Sequence, residues 1–227
     1  MSSSVRREMP DDFDTALLKL KEALLGMGGR VEQMIEQAAW ALLTRDPNLA
    51  SEVKAADRRV NEAEIEIDGM CLAILMRSQP TGSDLRFVTR ALKMVTDIER
   101  IGDLAVNLAR QATVLAELRR PDLPVHTAIE HMAKVVRSML ADALDAFVER
   151  DTVLARAVIE HDDEVDALHD RVCKDVLARM LAHPEELAVG LRVLEAARFL
   201  ERMGDHSTNL AEQVVFLVQA EDIRHPV

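Results

Sequence analysis

The string Glu-Arg-Ile-Gly-Asp-x-x-x-Asn-Leu-Ala runs from Glu99 to Ala109 and returns from Glu201 to Ala211 with Met203 in place of the isoleucine. The copies stand 102 residues apart in a chain of 227, which implies two similar halves. The repeated residues also pose an electrostatic problem. Glu and Asp at i and i+4 line two carboxylates along one side of a helix, and Asn at i+8 extends the line. Like charges at this spacing repel, so something must compensate. A bound cation, the neighbouring Arg100 and Arg202, and plain water are the alternatives.

The halves correspond outside the motif as well. Arg45-Asp46 matches Arg150-Asp151, and Asp57 matches Asp162, at an offset of 105. The three-residue difference falls in the loop between the second and third helices of each half, where insertions cost little. Helical periodicity predicts helices over 11–45, 47–76, 83–118, 124–149, 152–182 and 185–221, and no strand alternation appears. The punctuation agrees. Asp46-Pro47 is an N-cap followed by proline at the first helical position. Residues 79–83 read as a loop, Pro121 and Pro124 bracket the joint between halves, and His183-Pro184 ends the fifth helix. Gly26, Gly28 and Gly29 fall inside the first helix, where they would favour a bend. The expected fold is all-α: two tandem three-helix bundles of long antiparallel helices, with domains at 11–120 and 122–221.

Two apolar seams support bundles. Ala91, Met94, Ile98, Ile101, Ala105, Leu108, Ala112 and Leu115 follow 3-4 spacing in the third helix, and Val193, Ala196, Leu200, Met203, Ser207, Leu210, Val214 and Leu217 do so in the sixth. Such seams pack at the shallow angle of left-handed bundles. Gly102 and Gly204, beside them, would let a neighbouring helix approach closely. Glycine in a helix costs about 1 kcal/mol against alanine, so its recurrence marks a shared packing need.

The carboxylates Glu99 and Asp103, with Asn107, continue a line that begins apolar at Leu85, Val88, Leu92 and Val95. Glu201, Asp205 and Asn209 repeat it. The second helix offers a matching line, Asp57, Asn61, Glu64 and Asp68; the fifth offers Asp162, Asp166, His169 and Cys173. Each half thus carries acidic stripes on two helices expected to be neighbours. Clustered carboxylates and amides suit hard cations such as Mg²⁺, Ca²⁺, Mn²⁺ or Fe³⁺, and His169 and His206 would bring in Zn²⁺ or iron. The plainer reading is a solvated acidic face with arginine counter-ions.

Composition narrows the function. A net charge of −12 argues against nucleic-acid binding, which needs a basic face. No apolar run approaches the roughly 18 residues of a membrane span, and the first residues lack the apolar stretch of a signal peptide, so a cytoplasmic protein is expected. Cys71 and Cys173 form no metal-type pair and read as buried free thiols. His126, His131 and His225 read as surface residues, the methionines as mostly seam and core, and Trp40 as a packing anchor. No phosphate-binding glycine loop or nucleophile motif is present.

The residues that carry this argument also carry a resemblance. Gln79-Pro80, Ser83–Val88 and Thr96–Asp103, with the second copy Leu200–Asn209 and the opening Phe13 to Gly28, resemble the signature of the PhoU family of phosphate-uptake regulators across about residues 11–218. The resemblance implies two similar three-helix bundles and a cytoplasmic adaptor, not an enzyme. It would work as a homodimer beside the phosphate ABC transporter and its sensor histidine kinase, restraining uptake and the phosphate-starvation response. It also implies metal ions (Mg, Mn, Fe or Zn) on Glu99 with Asp103 and on Glu201 with Asp205. Asp162 with Asp166 fits the same pattern, and Asp57 is the expected ligand of the first half's second helix. Asn61, Glu64, Asn107, His206 and Asn209 are secondary candidates. Two positions depart from the family pattern: Leu104 stands where the first copy often has His, and Asn61 replaces a carboxylate. The second half is therefore expected to bind metal at least as tightly as the first. A carboxylate-bridged metalloenzyme and an inert helical scaffold are the alternatives.

Overall fold

The computed structural model describes residues 11–118 and 126–220. They form α1 (Asp11–Thr44), α2 (Pro47–Ser78), α3 (Gly82–Leu118), α4 (His126–Glu149), α5 (Thr152–Ala182) and α6 (Leu187–Gln219), with one 3-10 turn at Pro184–Glu186 before α6. No strand occurs among the described residues. The sequence boundaries hold to within two residues; at the start of α6 the 3-10 turn occupies the first two expected positions. The start of α4 adjoins the joint holding Pro121 and Pro124, which lies outside the described residues, as do the side chain of His126 and all of His225.

The hinges explain why the halves repeat. In each, one residue takes a left-handed backbone, Arg45 at φ 53° and Arg150 at φ 56°. The next residue caps the following helix. Asp46 accepts from the backbone N–H of Asn48 at 2.8 Å, and Asp151 from that of Val153 at 2.8 Å. These carboxylates satisfy amides the first turn leaves unpaired. The connections to α3 and α6 differ: Arg179 and Glu186 form a two-pronged ion pair, at 2.6 and 2.8 Å, only in the second half.

Both seams are buried along their whole length. α1, α2 and α3 pack mutually, as do α4, α5 and α6, and the halves join through α3 against α6 and α1 against α4. The α3–α6 contact is antiparallel. Arg86 Nε donates to the Leu217 carbonyl at 3.3 Å, Arg90 Nη1 to Gln213 Oε1 at 2.8 Å, and His206 Nδ1 lies 2.9 Å from Asp97 Oδ1. The Arg90 guanidinium also covers the Phe216 ring at 3.8 Å. Phe87 and Phe147 stack at 4.5 Å where α3 meets α4. Gly28 lies directly beneath the Leu144 side chain, and a Cβ there would overlap it.

α2 and α5 touch only helices of their own half. Their outer faces are free to carry chemistry.

Candidate metal centres

Gly102 and Gly204 set the geometry of both faces. A Cβ on Gly102 would lie 3.4 Å from Val60 Cγ1 and 3.9 Å from Asp57 Oδ1. On Gly204 it would lie 3.4 Å from Val165 Cγ1 and 3.2 Å from Asp162 Oδ1. The two sets are equivalent in the repeat. In each half the missing side chain lets the outer helix settle onto the motif helix, bringing its leading aspartate over the glycine and alongside the Glu-x-x-x-Asp pair.

The electrostatics show that the stripes face each other. Asp162 has its carboxyl pushed up to about 6, first by burial, then by Asp205, Asp166 and Glu201, with the Thr208 hydroxyl acting in the opposite sense. Glu201 is raised by burial and by Asp205 and Asp166, against His169 and Arg198. Asp205 is raised by burial and by Asp166, against His206 and Arg202. In the first half, burial and Asp103 raise Asp57, against Asn61 and Arg110. Burial, Asp103, Glu64 and Asp57 raise Glu99. Glu64 is raised by burial and Asp68. Each face concentrates negative charge at partial burial, the condition under which a cation is worth most.

The arginine alternative is weak. Arg100 stands 3.8 Å from Glu99 and 4.0 Å from Asp103 with most of its side chain in solvent, and such exposed pairs contribute little.

Asp57, Glu64, Glu99 and Asp103 come together with Asn61 in the first half. Asp162, Asp166, Glu201 and Asp205 come together in the second. Asn61 donates to Asp57 Oδ2 at 3.4 Å, while Asp57 Oδ1 and Asn61 Oδ1 are buried without a hydrogen-bond partner. Two orphaned oxygens side by side are acceptors that a cation, with waters completing its shell, would satisfy. The oxygen donor set therefore fits a hard metal. Among the described residues no three His, Cys, Asp or Glu side chains stand close enough together to hold an ion by themselves, so waters or side-chain movement would have to complete either site.

His206 Nδ1 lies 2.9 Å from Asp97 Oδ1 across the α3–α6 joint, which leaves Nε2 as the uncommitted ring nitrogen. Two sequence expectations need correction. Trp40 is no packing anchor: it is 60% exposed and lines a cavity of about 440 Å³ with Leu43, Leu49 and Arg137. Cys173 is only half-buried, 3.6 Å from His169 Nε2, whereas Cys71 is buried with its thiol pushed up to about 12. Asn107 Oδ1 accepts from Arg110 Nη1 at 2.9 Å, and Asn209 sits half-buried at the equivalent place. Most methionines are core as expected, Met27, Met34, Met94, Met132, Met139 and Met203 being buried, while Met76 is 78% exposed.

The sequence reading missed a second feature. Lys54, Arg58 and Arg110 join Asp57, Asn61, Asp103, Val106 and Asn107 around a cavity of about 440 Å³ on the first face. Extending the offset comparison to the positions flanking the carboxylates finds them, since no cation stands at the equivalents in the second half.

Comparison with known proteins agrees with the geometry. The PhoU domain matches at residues 24–112 and again at 129–214, one match on each half. The chain belongs to the PhoU family. Among curated relatives, the PhoU homolog of Pseudomonas putida, a phosphate-specific transport system accessory protein, is 37% identical over 98% of this chain and 86% of its own length. The Escherichia coli (strain K12) protein of that name is 31% identical over 99% of this chain and 92% of its own. The crystal structure of PhoU from Pseudomonas aeruginosa superposes with a TM-score of 0.87 at 37% identity, covering 92% of this chain and 100% of that one. The PhoU regulatory protein from Streptococcus pneumoniae gives 0.86 at 28% identity, covering 94% and 100%. These PhoU relatives are named as accessory and regulatory proteins, and the chain belongs with them, not with the metalloenzymes.

Proposed function

We propose that this PhoU-family protein regulates phosphate uptake and the phosphate-starvation response as a metal-binding adaptor between the phosphate ABC transporter and its sensor histidine kinase. Full-length kinship to phosphate-transport accessory proteins carries the reading. The protein would work as a homodimer at the cytoplasmic face of its membrane partners; no helix among the described residues is long and apolar enough to cross a membrane. One further observation supports the reading. The outer helices expose apolar side chains at equivalent places, Leu72 and Met76 on α2 and Leu177 and Leu181 on α5, at 55%, 78%, 50% and 85%. Such side chains are what a partner surface would cover.

Metal is part of the reading because the donors fit it. Asp57, Glu99 and Asp103 would hold an ion on the first face, and Asp162, Asp166, Glu201 and Asp205 on the second. Mg²⁺, Mn²⁺ or Fe³⁺ suit these oxygens, and Zn²⁺ would need His169. The ion supplies the positive charge that turns repulsion between the stripes into attraction. It would stabilise the folded state by about 2.7 kcal/mol at a hundredfold excess over its dissociation constant.

The deciding experiment is a clean deletion complemented with the wild type or with Glu201→Gln/Asp205→Asn. Loss of the protein is expected to derepress phosphate-starvation genes and leave uptake unrestrained, and an unchanged response rejects the assignment. Thermal unfolding with each ion against chelator isolates the metal. An equal rise in melting temperature in wild type and double variant removes the second motif from the ligand set.

A further inference from the structure

We propose that the first-half face binds its metal together with a small phosphoryl anion, held by Lys54, Arg58 and Arg110, whereas the second-half face binds metal alone. The inference rests on the metal reading above and adds a second ligand to one of the two sites.

The argument begins with the repeat. Along the outer helix and the motif helix, the backbone and the leading aspartate are the same in both halves. The flanking positions invert in charge. Lys54, Arg58 and Arg110 stand where the second half has Ile159, Asp163 and Glu212. All three basic residues line the first-half cavity together with Asp57, Asn61 and Asp103. A cavity lined by basic residues and carboxylates together suits neither a lone cation nor a lone anion. It suits the two together: the metal would take the Asp57, Asn61 and Asp103 oxygens, and an anion the metal's open position and the basic donors.

Commitments on the rim leave capacity for this. Lys54 is exposed and makes no ion pair among the described residues. Arg110 spends one Nη1 donor on Asn107 at 2.9 Å, leaving the rest of its guanidinium fork. Arg58 pairs with Glu62 at 3.1 Å, in a contact that is 86% and 63% exposed and readily exchanged. Arginine forks match the oxygens of a phosphoryl group, and lysine adds a point charge. A divalent ion on Asp57, Glu99 and Asp103 offsets two of their three negative charges, and Lys54 and Arg110, with Arg58 shared with Glu62, more than offset the third. On the second face the equivalent positions, Ile159, Asp163 and Glu212, offer no basic donor for an anion. The cavity, about 440 Å³ and open to solvent, falls in the ordinary range for small ligands.

The test is equilibrium dialysis of the full chain against labelled orthophosphate, with Mn²⁺ and with chelator, in parallel with direct Mn²⁺ titration. Wild type is expected to retain orthophosphate only with Mn²⁺. Lys54→Gln/Arg110→Gln is expected to lose it at least tenfold while binding Mn²⁺ as well or better, because cations near the carboxylates are removed. A variant that merely unfolds the face would lose both, and a melting curve identifies that case; Arg58→Gln, at a fully solvated position, then repeats the measurement. Competition with ATP and with sulfate separates the sources: displacement by ATP at lower concentration than by orthophosphate points to an esterified phosphate, and displacement by orthophosphate alone to the free ion. Equal displacement by sulfate overturns the phosphoryl assignment. Mn²⁺ binding without orthophosphate retention, or retention unchanged in the variants, overturns the inference and leaves the metal reading standing. Absence of Mn²⁺ binding removes both.

Discussion

The face of α2 over Gly102 and the face of α5 over Gly204 share a backbone and differ in charge. Both hold an aspartate above a glycine, flanked by a Glu-x-x-x-Asp pair, and both follow an identical left-handed hinge and aspartate cap. Beyond that frame they diverge. The first face has Asn61 where the second has Asp166, and three basic residues where the second has Ile159, Asp163 and Glu212. The joint between the halves diverges too. Asp97 meets His206 at 2.9 Å, while the register of that antiparallel contact sets the equivalent positions, Phe199 and Leu104, opposite each other as an apolar pair. Internal duplication thus preserves what packing requires and releases what solvent and ligands see.

If the halves are equivalent in packing, truncating equivalent seam residues must cost the same. Ile98 and Leu200 are both fully buried. Replacing either with alanine is expected to cost about 2–5 kcal/mol, with the two values within about 1 kcal/mol of each other in denaturant unfolding. A loss in one half of less than half that in the other breaks the equivalence. The glycines sharpen the comparison. At Gly102 an added methyl meets ordinary contacts, so Gly102→Ala keeps the helix-propensity gain of up to about 1 kcal/mol. At Gly204 it crowds Asp162 Oδ1 at 3.2 Å. Overpacking of this kind costs about 1–3 kcal/mol, so Gly204→Ala is expected to destabilise by about 1 kcal/mol net of that gain. Melting of the two variants in chelator decides it; the same sign for both rejects the closer approach of α5.

The fold was legible because its determinants are local and periodic. The seams, the caps at Asp46 and Asp151 and the motif spacing all lie within a few residues of the features they specify. The acidic stripes were legible for the same reason, as i+4 lines on neighbouring helices. What escaped was set by contacts between elements. His206 reads as a candidate ligand beside Asp205, and nothing local shows that α3 delivers Asp97 to its Nδ1 from 109 residues away. Trp40 reads as core because tryptophan usually is, yet its position on α1 faces the cavity beside α4. The basic rim was visible in the sequence but hidden by attention to what repeats; it lies where the repeat fails.

The raised carboxyl of Asp162 gives a pH test of the second face. Its value is about 6 in the folded chain against 3.8 ordinarily, so the folded state holds the proton more tightly than the unfolded one. The metal-free protein is therefore most favoured below pH 4 as far as this group is concerned, and loses that contribution as pH rises from about 4 through about 6. The full shift, at about 1.4 kcal/mol per pH unit, is an upper bound; for a partly solvated group about 1 kcal/mol is expected. Asp162→Asn should flatten the decline and leave the chelated protein more stable than wild type at pH 7. Unfolding in chelator at pH 4, 5, 6 and 7 measures it, and parallel curves for the two proteins remove the charge strain from Asp162.

The smallest expected effect bears on His206. Its Nδ1 is taken by Asp97, and both side chains are about four-fifths buried at the α3–α6 joint. His206→Leu restores the apolar residue that the first half carries at Leu104, while leaving Asp97 a route to solvent. The lost hydrogen bond and the gained apolar contact oppose each other, so stability is expected to change by less than about 1 kcal/mol. Metal affinity of the second face is expected to stay within about threefold of wild type, since Asp162, Asp166, Glu201 and Asp205 remain and only a distant positive influence on Asp205 is removed. A tenfold loss of Zn²⁺ or iron binding, with the melting temperature unchanged, would keep His206 in the ligand set. Nε2 would then be the ligating nitrogen, with Asp97 at Nδ1 fixing the orientation of the ring.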